Sequence, residues 1–520
     1  MRPELTVEVL EAECRRLIQK HERYCRELRS EDVRRNRRST TKSLGTIRRP
    51  DYWSADDGFN PYVVRSRAKT IVRAVNLAIR KDDYHPKPPI AHRIPKADGE
   101  FRTVSVFQIA DTLISREVYA SLLQKNRALM SSRSYAYRGD LSTHDAIQYI
   151  CGEFSTSERI FVAEYDFKKF FDSISHDHIW RVLDSHPFLV SVHEKRILES
   201  LLAAPLQPTG RYESQAQIDP SKPRRGLPQG TAASLFLANA AAFDLDRALE
   251  RLGVGFARYA DDTLIWSRDY SQICEAVNAL KNSSEQMGSA LNPKKSPGIR
   301  LFVPSGERSE IQSTESINFV GYRFSRGKVG LRDGVIARMK NRVQDLIWMN
   351  LLRDARAGTL RDVRVAPSVD RDYVVLIMQL RRYLYGNLTE DRVRELERGE
   401  VKRVRFPGIM SYFPLADDQE QLKAFDGWLA STVHRALSKR AVYIRSGGVM
   451  CLPNPHGLTR SELLSAEGRT SDGERIDLRL PSITRFAGVM NRAAKEFGPN
   501  SIGRGAGTEE YQYAFERNVR

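Results

Sequence analysis

Hydrophobic positions recur with helical spacing near both ends of the chain. An amphipathic helix is predicted over residues 4–29, because one face collects Leu10, Cys14, Leu17, Tyr24 and Leu28. This face could pack on the body of the same chain or mediate self-association. A second helix is predicted over residues 417–439, where Asp417 and Glu420 resemble a capping box. Its apolar face is formed by Leu422, Phe425, Leu429, Val433 and Leu437.

The pattern between these helices is different. From about residue 91 to residue 330, short apolar runs alternate with helical stretches, which is typical of a mixed α/β body. After about residue 335 the pattern is mainly helical. Residues 441–520 are expected to form a loop-rich extension, because Gly and Pro recur there.

Composition and charge indicate a globular protein with a polyanionic partner. The 520 residues are too many for a single core, and 41% are hydrophobic while 28% are charged. Lys and Arg number 83 against 65 Asp and Glu, a net charge of +18, which favours nucleic acid. Basic residues cluster over residues 34–49, as a solvated loop or as a contact to a phosphate backbone.

The cysteines and the apolar runs bear on the compartment. Five cysteines without a CxxC pair argue against a disulfide framework or a zinc ribbon, and predict a reducing cytoplasm. Apolar stretches are too short to predict a membrane span, so no membrane partner is expected. The first residues include acids and lack the apolar core of a secretion signal.

Three segments carry candidate chemistry. Asp261 and Asp262 lie between two apolar runs, as at the tip of a hairpin, and Asp166 follows a strand-like run. Phosphoryl transfer between nucleotides needs two Mg²⁺ ions held by oxygen ligands, which these acids could supply. The third segment, residues 222–246, has a glycine-rich bend before a helix of small residues, suited to lie against a base pair or simply to be buried.

The order of these segments resembles the reverse transcriptases, most closely the bacterial enzymes related to group II intron maturases. Four segments resemble the successive palm motifs of that family, in the order VAEYDFKKFFDSISHD, RGLPQGTAAS, YADD and LNPKKS (291–296). A fifth segment, INFVGYRF (317–324), resembles the primer-grip strand. Upstream, the segment HRIPKADGEFRTVSVFQIADTLISR resembles the finger strands of these enzymes. The segment SYAYRGDLSTHDAI (134–147) resembles the part that comes just before the palm. A weaker resemblance to the maturase thumb covers residues 411–440.

The resemblance implies roles for individual residues. Asp166 and Asp261, with Asp262 beside them and the Phe167 carbonyl, would hold two Mg²⁺ ions, with Mn²⁺ as a substitute. Phe171 would be an aromatic gate that collides with a ribose 2′ hydroxyl, so that dNTPs are the substrates. If Phe170 and Phe171 lie on a strand, one of them should face the core. The remaining implied contacts are Lys96 and Arg102 to the triphosphate, Gln229 and Gly230 to the templating pair, Lys295 to the departing pyrophosphate, and Phe319, Gly321 and Tyr322 to the primer terminus.

The implied fold class is α+β, a right-hand polymerase with a ferredoxin-like β-α-β-β-α-β palm. The expected regions are an N-terminal helix and basic segment (1–60), fingers (61–165), palm (160–335), helical thumb (336–440) and a C-terminal extension of unknown role (441–520). The expected partners are an RNA template, a DNA product and dNTPs, with a homo-oligomer as a further possibility.

The sequence leaves three biological roles open. The first is a stand-alone reverse transcriptase in anti-phage defence that copies an associated non-coding RNA, and Tyr511 and Tyr513 are then hypothetical priming hydroxyls. The second is a maturase-like RNA-binding or splicing factor with secondary polymerase activity. The third is a ribonucleotide polymerase, which the expected gate at Phe171 argues against.

Overall fold

The computed structural model describes residues 2–41, 46–95, 99–155, 159–216, 224–307, 309, 311–365, 369–386, 388–448, 451–469 and 475–504. Its elements form an α+β fold in which one mixed sheet separates two hydrophobic cores. Lys96, Tyr511 and Tyr513 lie outside these ranges. Across the described part of the chain, no helix is both long and apolar enough to cross a bilayer.

The N-terminal region combines helices with one hairpin. Its elements are α1 (Val7–Arg38), α2 (Pro61–Ser66), α3 (Ala68–Arg80), β1 (Ile90–Pro95), β2 (Phe101–Val106) and α4 (Ile109–Asn126). Strands β1 and β2 form an antiparallel pair, which we call the finger hairpin. Leu10, Cys14 and Leu28 on α1 are buried against the same chain, so the predicted stripe packs internally.

Helix α1 is longer than the sequence pattern predicted. Its N-cap is Thr6, and the helix continues through Arg38 into the segment that we expected to be a basic loop. Arg38 is 2% exposed and pairs with Asp372 at 2.9 Å, so it does not face a phosphate backbone. The loop prediction was wrong for residues 34–38, because α1 continues through this segment and the charge of Arg38 is paired inside the fold.

The central sheet and its helices follow. The helices are α5 (Thr143–Phe154), α6 (Phe170–Ser173), α7 (His176–Ser185), α8 (Val192–Ala203), α9 (Ala233–Ala241), α10 (Phe243–Arg251) and α11 (Tyr270–Met287). The strands are β3 (Ile160–Tyr165), β4 (Gly255–Tyr259), β5 (Asp262–Ser267), β6 (Gly298–Phe302) and β7 (Ser313–Thr314). Their spatial order is β4-β5-β3-β6-β7, and the first four strands have the predicted β-α-β-β-α-β arrangement. We call this the palm sheet.

Strand β3 explains why the palm sheet is covered on both faces. Side chains alternate across a strand, and Phe161 and Ala163 enter the core with α4 and α7–α11, whereas Ile160 and Val162 enter the opposite core. Burial on both faces gives the almost continuous apolar run that marked this strand in the sequence.

The C-terminal half is mainly helical. It contains the sheet β8 (Ile317–Phe319), β9 (Tyr322–Ser325) and β10 (Lys328–Leu331), followed by α12 (Asp333–Ile347), α13 (Arg353–Arg356), α14 (Arg371–Tyr385), α15 (Glu390–Glu397), β11 (Val404–Phe406) and α16 (Gln419–Ser446). Asp418 caps α16 by accepting from the Gln421 amide at 3.1 Å, so the predicted cap at Asp417 was off by one residue. The expected boundary at residue 440 falls inside α16.

The C-terminal extension is more ordered than the sequence suggested. It contains β12 (Glu467–Arg469), β13 (Arg475–Asp477), α17 (Ile483–Phe497) and β14 (Ile502–Arg504). Helix α17 packs on α16, and Asp426 accepts from the Ser482 hydroxyl and the Ile483 amide at its start. Strand β14 pairs in parallel with β11. The loop-rich description holds for residues 451–466 but was wrong for α17.

Candidate active site

Three carboxylates converge at one end of the palm sheet. Asp166 follows the last residue of β3, and Asp262 is the first residue of β5, its neighbour. Tyr259 pairs with Asp262, so Ala260 and Asp261 form a two-residue turn in which Ala260 has a left-handed backbone (φ 58°). The register pairs Tyr165 with Thr263, and this places Asp166 beside the acidic turn.

The charges of these acids act on one another. Burial raises the pKa of Asp261, and the Asp166 carboxylate raises it further. Asp262 is itself exposed to solvent, but partial desolvation by the surrounding protein and the carboxylates of Asp261 and Asp166 raise its pKa to about 6. Proximity of like charges is unfavourable unless a cation neutralises it. Oxygen donors of this kind fit Mg²⁺, although in the described residues no three acidic, His or Cys side chains are already arranged around a single point as ligands.

A loop after α11 is attached to Asp166. The Asn292 amide donates to the Asp166 carbonyl at 2.8 Å, and its side chain donates to the Asp166 carboxylate at 3.3 Å. The Lys295 ammonium lies 3.0 Å from the same carboxylate, and Phe167 bridges to Leu291 with its own ring buried. The sequence reasoning found Lys295 but missed Asn292, whose place in LNPKKS was the available signal.

Gln229 connects the finger hairpin to the palm. Arg102 on β2 donates through Nε to the Gln229 side-chain oxygen at 2.5 Å, and the Gln229 side-chain nitrogen donates to Asp172 at 2.9 Å. The Ser105 amide also donates to the Gln229 carbonyl at 2.6 Å. Gly230 has a φ of 138°, and a Cβ there would lie 2.3 Å from the Ser105 carbonyl oxygen. Glycine is therefore required for this close approach.

The two phenylalanines after Asp166 lie on helix α6, and the strand interpretation was wrong. Both Phe170 and Phe171 are buried, at 2% and 9% exposure, and their rings pack edge to face at 5.9 Å. A left-handed Lys169 (φ 54°) begins this short helix and turns the chain away from the sheet. Phe171 also contacts the Tyr137 ring at 6.1 Å.

The expected primer-grip residues lie at the tight turn between β8 and β9. Phe319 and Tyr322 are buried, and the Tyr322 hydroxyl donates to the Tyr412 carbonyl at 3.1 Å. Gly321 has a left-handed backbone (φ 85°), and its carbonyl accepts from the Arg332 amide at 2.9 Å. The side chains of Phe319 and Tyr322 thus support the turn from within the core.

A buried ion pair beneath the acidic turn was not predicted. Arg258 on β4 is 1% exposed and binds both oxygens of Asp246 on α10, at 2.7 and 2.6 Å. It also donates to the Ala260 carbonyl at 3.2 Å and to the Ser134 hydroxyl at 2.7 Å. Arg258 therefore connects the turn that carries Asp261 to a helix and to the loop before α5.

Comparison with known proteins agrees with this geometry. Residues 94–324 match the family model described as reverse transcriptase (RNA-dependent DNA polymerase). This part of the chain is similar to reverse transcriptase domains. The match runs from the end of β1 through β2 and the palm sheet into β9, and it includes each described candidate residue.

The individual proteins that resemble this chain are distant from it in sequence. A COX1/OXI3 intron 1 protein of Saccharomyces cerevisiae is 30% identical over 167 residues, which is 32% of this chain and 18% of that protein. Protein YkfC of Escherichia coli is 25% identical over 214 residues, 39% of this chain and 51% of that protein. This chain thus spans at most about half the length of these relatives. A solved Candida albicans telomerase, in complex with a fragment of telomeric RNA, has a TM-score of 0.37 and 13% identity, covering 74% of this chain and 68% of that one.

Proposed function

We propose that the protein is an RNA-directed DNA polymerase that adds deoxynucleotides by two-metal-ion phosphoryl transfer. The observation that carries this proposal is the meeting of Asp166, Asp261 and Asp262 at one end of the palm sheet, inside the region that is similar to reverse transcriptase domains. These acids would hold two Mg²⁺ ions, or Mn²⁺ as a substitute. When bound, the ions would activate the attacking 3′ hydroxyl and stabilise the leaving pyrophosphate.

The surrounding residues would bind and orient the substrates. Contact with Asp166 raises the pKa of Lys295, so its ammonium group stays protonated beside the position of the leaving pyrophosphate. Arg102, with Lys96, would bind the triphosphate, and a guanidinium can do so in bidentate fashion. Gln229 and Gly230 would lie against the templating pair, and Phe171 would exclude a 2′ hydroxyl. The net charge of +18 favours an RNA–DNA duplex held through its phosphates.

We further propose that the template is an associated non-coding RNA and that the role is anti-phage defence. Residues 441–520 contain a single cysteine and a single histidine, so this extension does not itself form a zinc site of the Cys and His type. Helix α1 and the C-terminal extension would then be additions particular to a stand-alone enzyme. A homo-oligomer would have to use mainly a surface other than the α1 stripe, since Leu10, Cys14 and Leu28 of that stripe are buried within the chain.

A maturase-like RNA-binding or splicing role is the second candidate. The observation in its favour is the 30% identity to a protein whose name refers to an intron.

Sequencing the nucleic acids that co-purify with the protein distinguishes the two. The wild type and an Asp261→Asn, Asp262→Asn double variant are expressed with the native flanking DNA. The proposal predicts one discrete RNA with both proteins and complementary DNA with the wild type alone. Intron RNA with both proteins, and DNA with neither, would instead support the splicing role.

A further inference from the structure

Tyr137 contacts the expected gate residue and lies close to the acidic turn. Its ring meets Phe171 edge to face, with centroids 6.1 Å apart and planes at 80°. Burial raises the pKa of Tyr137 to about 12, and the neighbouring Asp261 carboxylate contributes to this shift. Tyr137 is therefore a neutral phenol whose ring contacts Phe171 and which lies within electrostatic range of the Asp261 carboxylate.

The backbone of Tyr137 is held in a conformation that such a residue rarely adopts. Its φ of 60° is left-handed, which costs free energy for a bulky side chain and is found where the surroundings enforce it. The Tyr119 hydroxyl donates to the Tyr137 carbonyl at 2.7 Å. Arg138, the next residue, donates to the Ser131 carbonyl at 2.6 Å. These contacts hold the backbone segment from which the Tyr137 side chain projects.

Space lies next to the Tyr137 ring. Tyr137 lines a cavity of about 460 Å³ together with Tyr119, Tyr135 and Tyr259, whereas Phe171 does not line it. Phe171 is otherwise held by Phe170, whose ring lies 5.9 Å away. If the Tyr137 ring were removed, the Phe171 ring would lose a neighbour and gain open volume into which it could rotate.

We propose that Tyr137 is a positioning residue for ribose selectivity, which holds the Phe171 ring where it collides with a 2′ hydroxyl. This inference rests on the proposed function, and in particular on the gate role of Phe171. Exclusion by a ring depends on its position, because a displaced ring leaves room for one additional hydroxyl. Selectivity would therefore depend on Tyr137, which itself need not touch the nucleotide.

The test measures kcat/KM for a dNTP and for the matching rNTP on a primed RNA template. Tyr137→Asn removes the ring, and asparagine tolerates the left-handed backbone. Tyr137→Phe is the matched control, because it keeps the ring and removes only the hydroxyl. We expect the dNTP/rNTP ratio to fall about tenfold in Tyr137→Asn and to stay within about twofold of wild type in Tyr137→Phe.

Each outcome bears on a different statement. An unchanged ratio in Tyr137→Asn, or equal losses for both substrates, would overturn the positioning role. If Tyr137→Asn fails to fold, judged by its thermal unfolding, Tyr137→Gly, which also lacks the ring and adopts the left-handed backbone without steric cost, is scored in the same way. Phe171→Ala serves as the reference: if it copies RNA with an unchanged ratio, the gate role itself is wrong. A wild type that incorporates no nucleotide would contradict the proposed function as a whole.

Discussion

The Gln229 side chain donates to the Asp172 carboxylate at 2.9 Å, and this contact fixes the orientation of its amide. A carboxylate only accepts and a guanidinium only donates, so the amide nitrogen must face Asp172 and the amide oxygen must face Arg102. The finger hairpin and the palm are thereby connected through one side chain whose orientation is set from both ends.

Replacing Asp172 should weaken nucleotide binding more than turnover. In Asp172→Asn the charge-assisted bond to Gln229 becomes a weaker neutral one and only Arg102 still sets the Gln229 orientation, so KM for dNTP should rise about fivefold with a smaller change in kcat. Steady-state primer extension measures both constants. Asp177→Asn, an exposed acid in the same motif, is the control and should behave as wild type. Equal KM values for Asp172→Asn and wild type would show that the contact is dispensable.

The close approach of Gly230 to the finger hairpin gives a second prediction. Gly230→Ala would bring a Cβ to 2.3 Å from the Ser105 carbonyl oxygen and force a φ of 138° on alanine. The hairpin should be displaced, and kcat/KM for dNTP should fall at least about tenfold. Gly210→Ala provides the comparison, since a Cβ there meets nothing within 4 Å. Retention of full activity by Gly230→Ala would mean that this contact opens during catalysis at no cost.

The buried pair beneath the acidic turn should contribute strongly to stability. Asp246→Ala leaves the Arg258 guanidinium buried without its partner, and such losses cost about 3–5 kcal/mol. The free energy of unfolding, from urea denaturation, should fall by this amount, and DNA synthesis should fall with it because Arg258 also holds the Ala260 carbonyl. Glu250→Gln, which removes a more exposed pair with Arg247, should cost less than about 1 kcal/mol. Similar losses in both variants would contradict this assignment.

A buried cluster in the C-terminal half predicts how stability depends on pH. Burial alone would raise the pKa of Asp370, but Arg440 at 2.7 Å and His456 at 2.9 Å outweigh it and hold this pKa well below the ordinary range. A carboxyl group with a lowered folded-state pKa stabilises the fold above its unfolded pKa of about 4, and this contribution is lost as the pH falls toward the folded-state value.

The corresponding measurement is the free energy of unfolding of wild type and Asp370→Asn between pH 7 and pH 3. The wild type should lose more stability than the variant as the pH falls below about 4. Only in the wild type does unfolding allow the carboxyl group at position 370 to take up a proton, and this favours the unfolded state. At pH 7 the variant should already be the less stable of the two. Parallel pH profiles would show that Asp370 does not titrate in this way.

The sequence predicts the centre of the molecule better than its periphery. The apolar run before Asp166 and the hairpin around Asp261 are local patterns, and their pairing gives the palm sheet. The end of α1 could not be predicted, since the partner of Arg38 is Asp372, 334 residues away. By contrast, α17 did carry a local signal, because Ser482 caps its start and Ile483, Phe486 and Met490 recur on one face. The signal was missed because the Gly and Pro residues around it favoured a loop.

In the candidate site, too, local motifs were predictive and tertiary contacts were not. Asp166, Asp261, Asp262 and Lys295 were expected together from their motifs, and the fold brings them together. Motif resemblance does not reveal where a side chain points, so the burial of Tyr322 could not be expected from the sequence. Arg258 and Tyr137 were missed for a related reason, because their roles depend on tertiary neighbours.

The central claim is that the three carboxylates carry out RNA-templated DNA synthesis, and primer extension on an RNA template tests it most directly. The wild type, with Mg²⁺ and dNTPs, should extend the primer to the end of the template, and chelation of the metal should stop it. Asp261→Asn should lower the rate by at least about a thousandfold while leaving the thermal unfolding temperature and RNA binding nearly unchanged. Extension by Asp261→Asn at the wild-type rate would contradict the account.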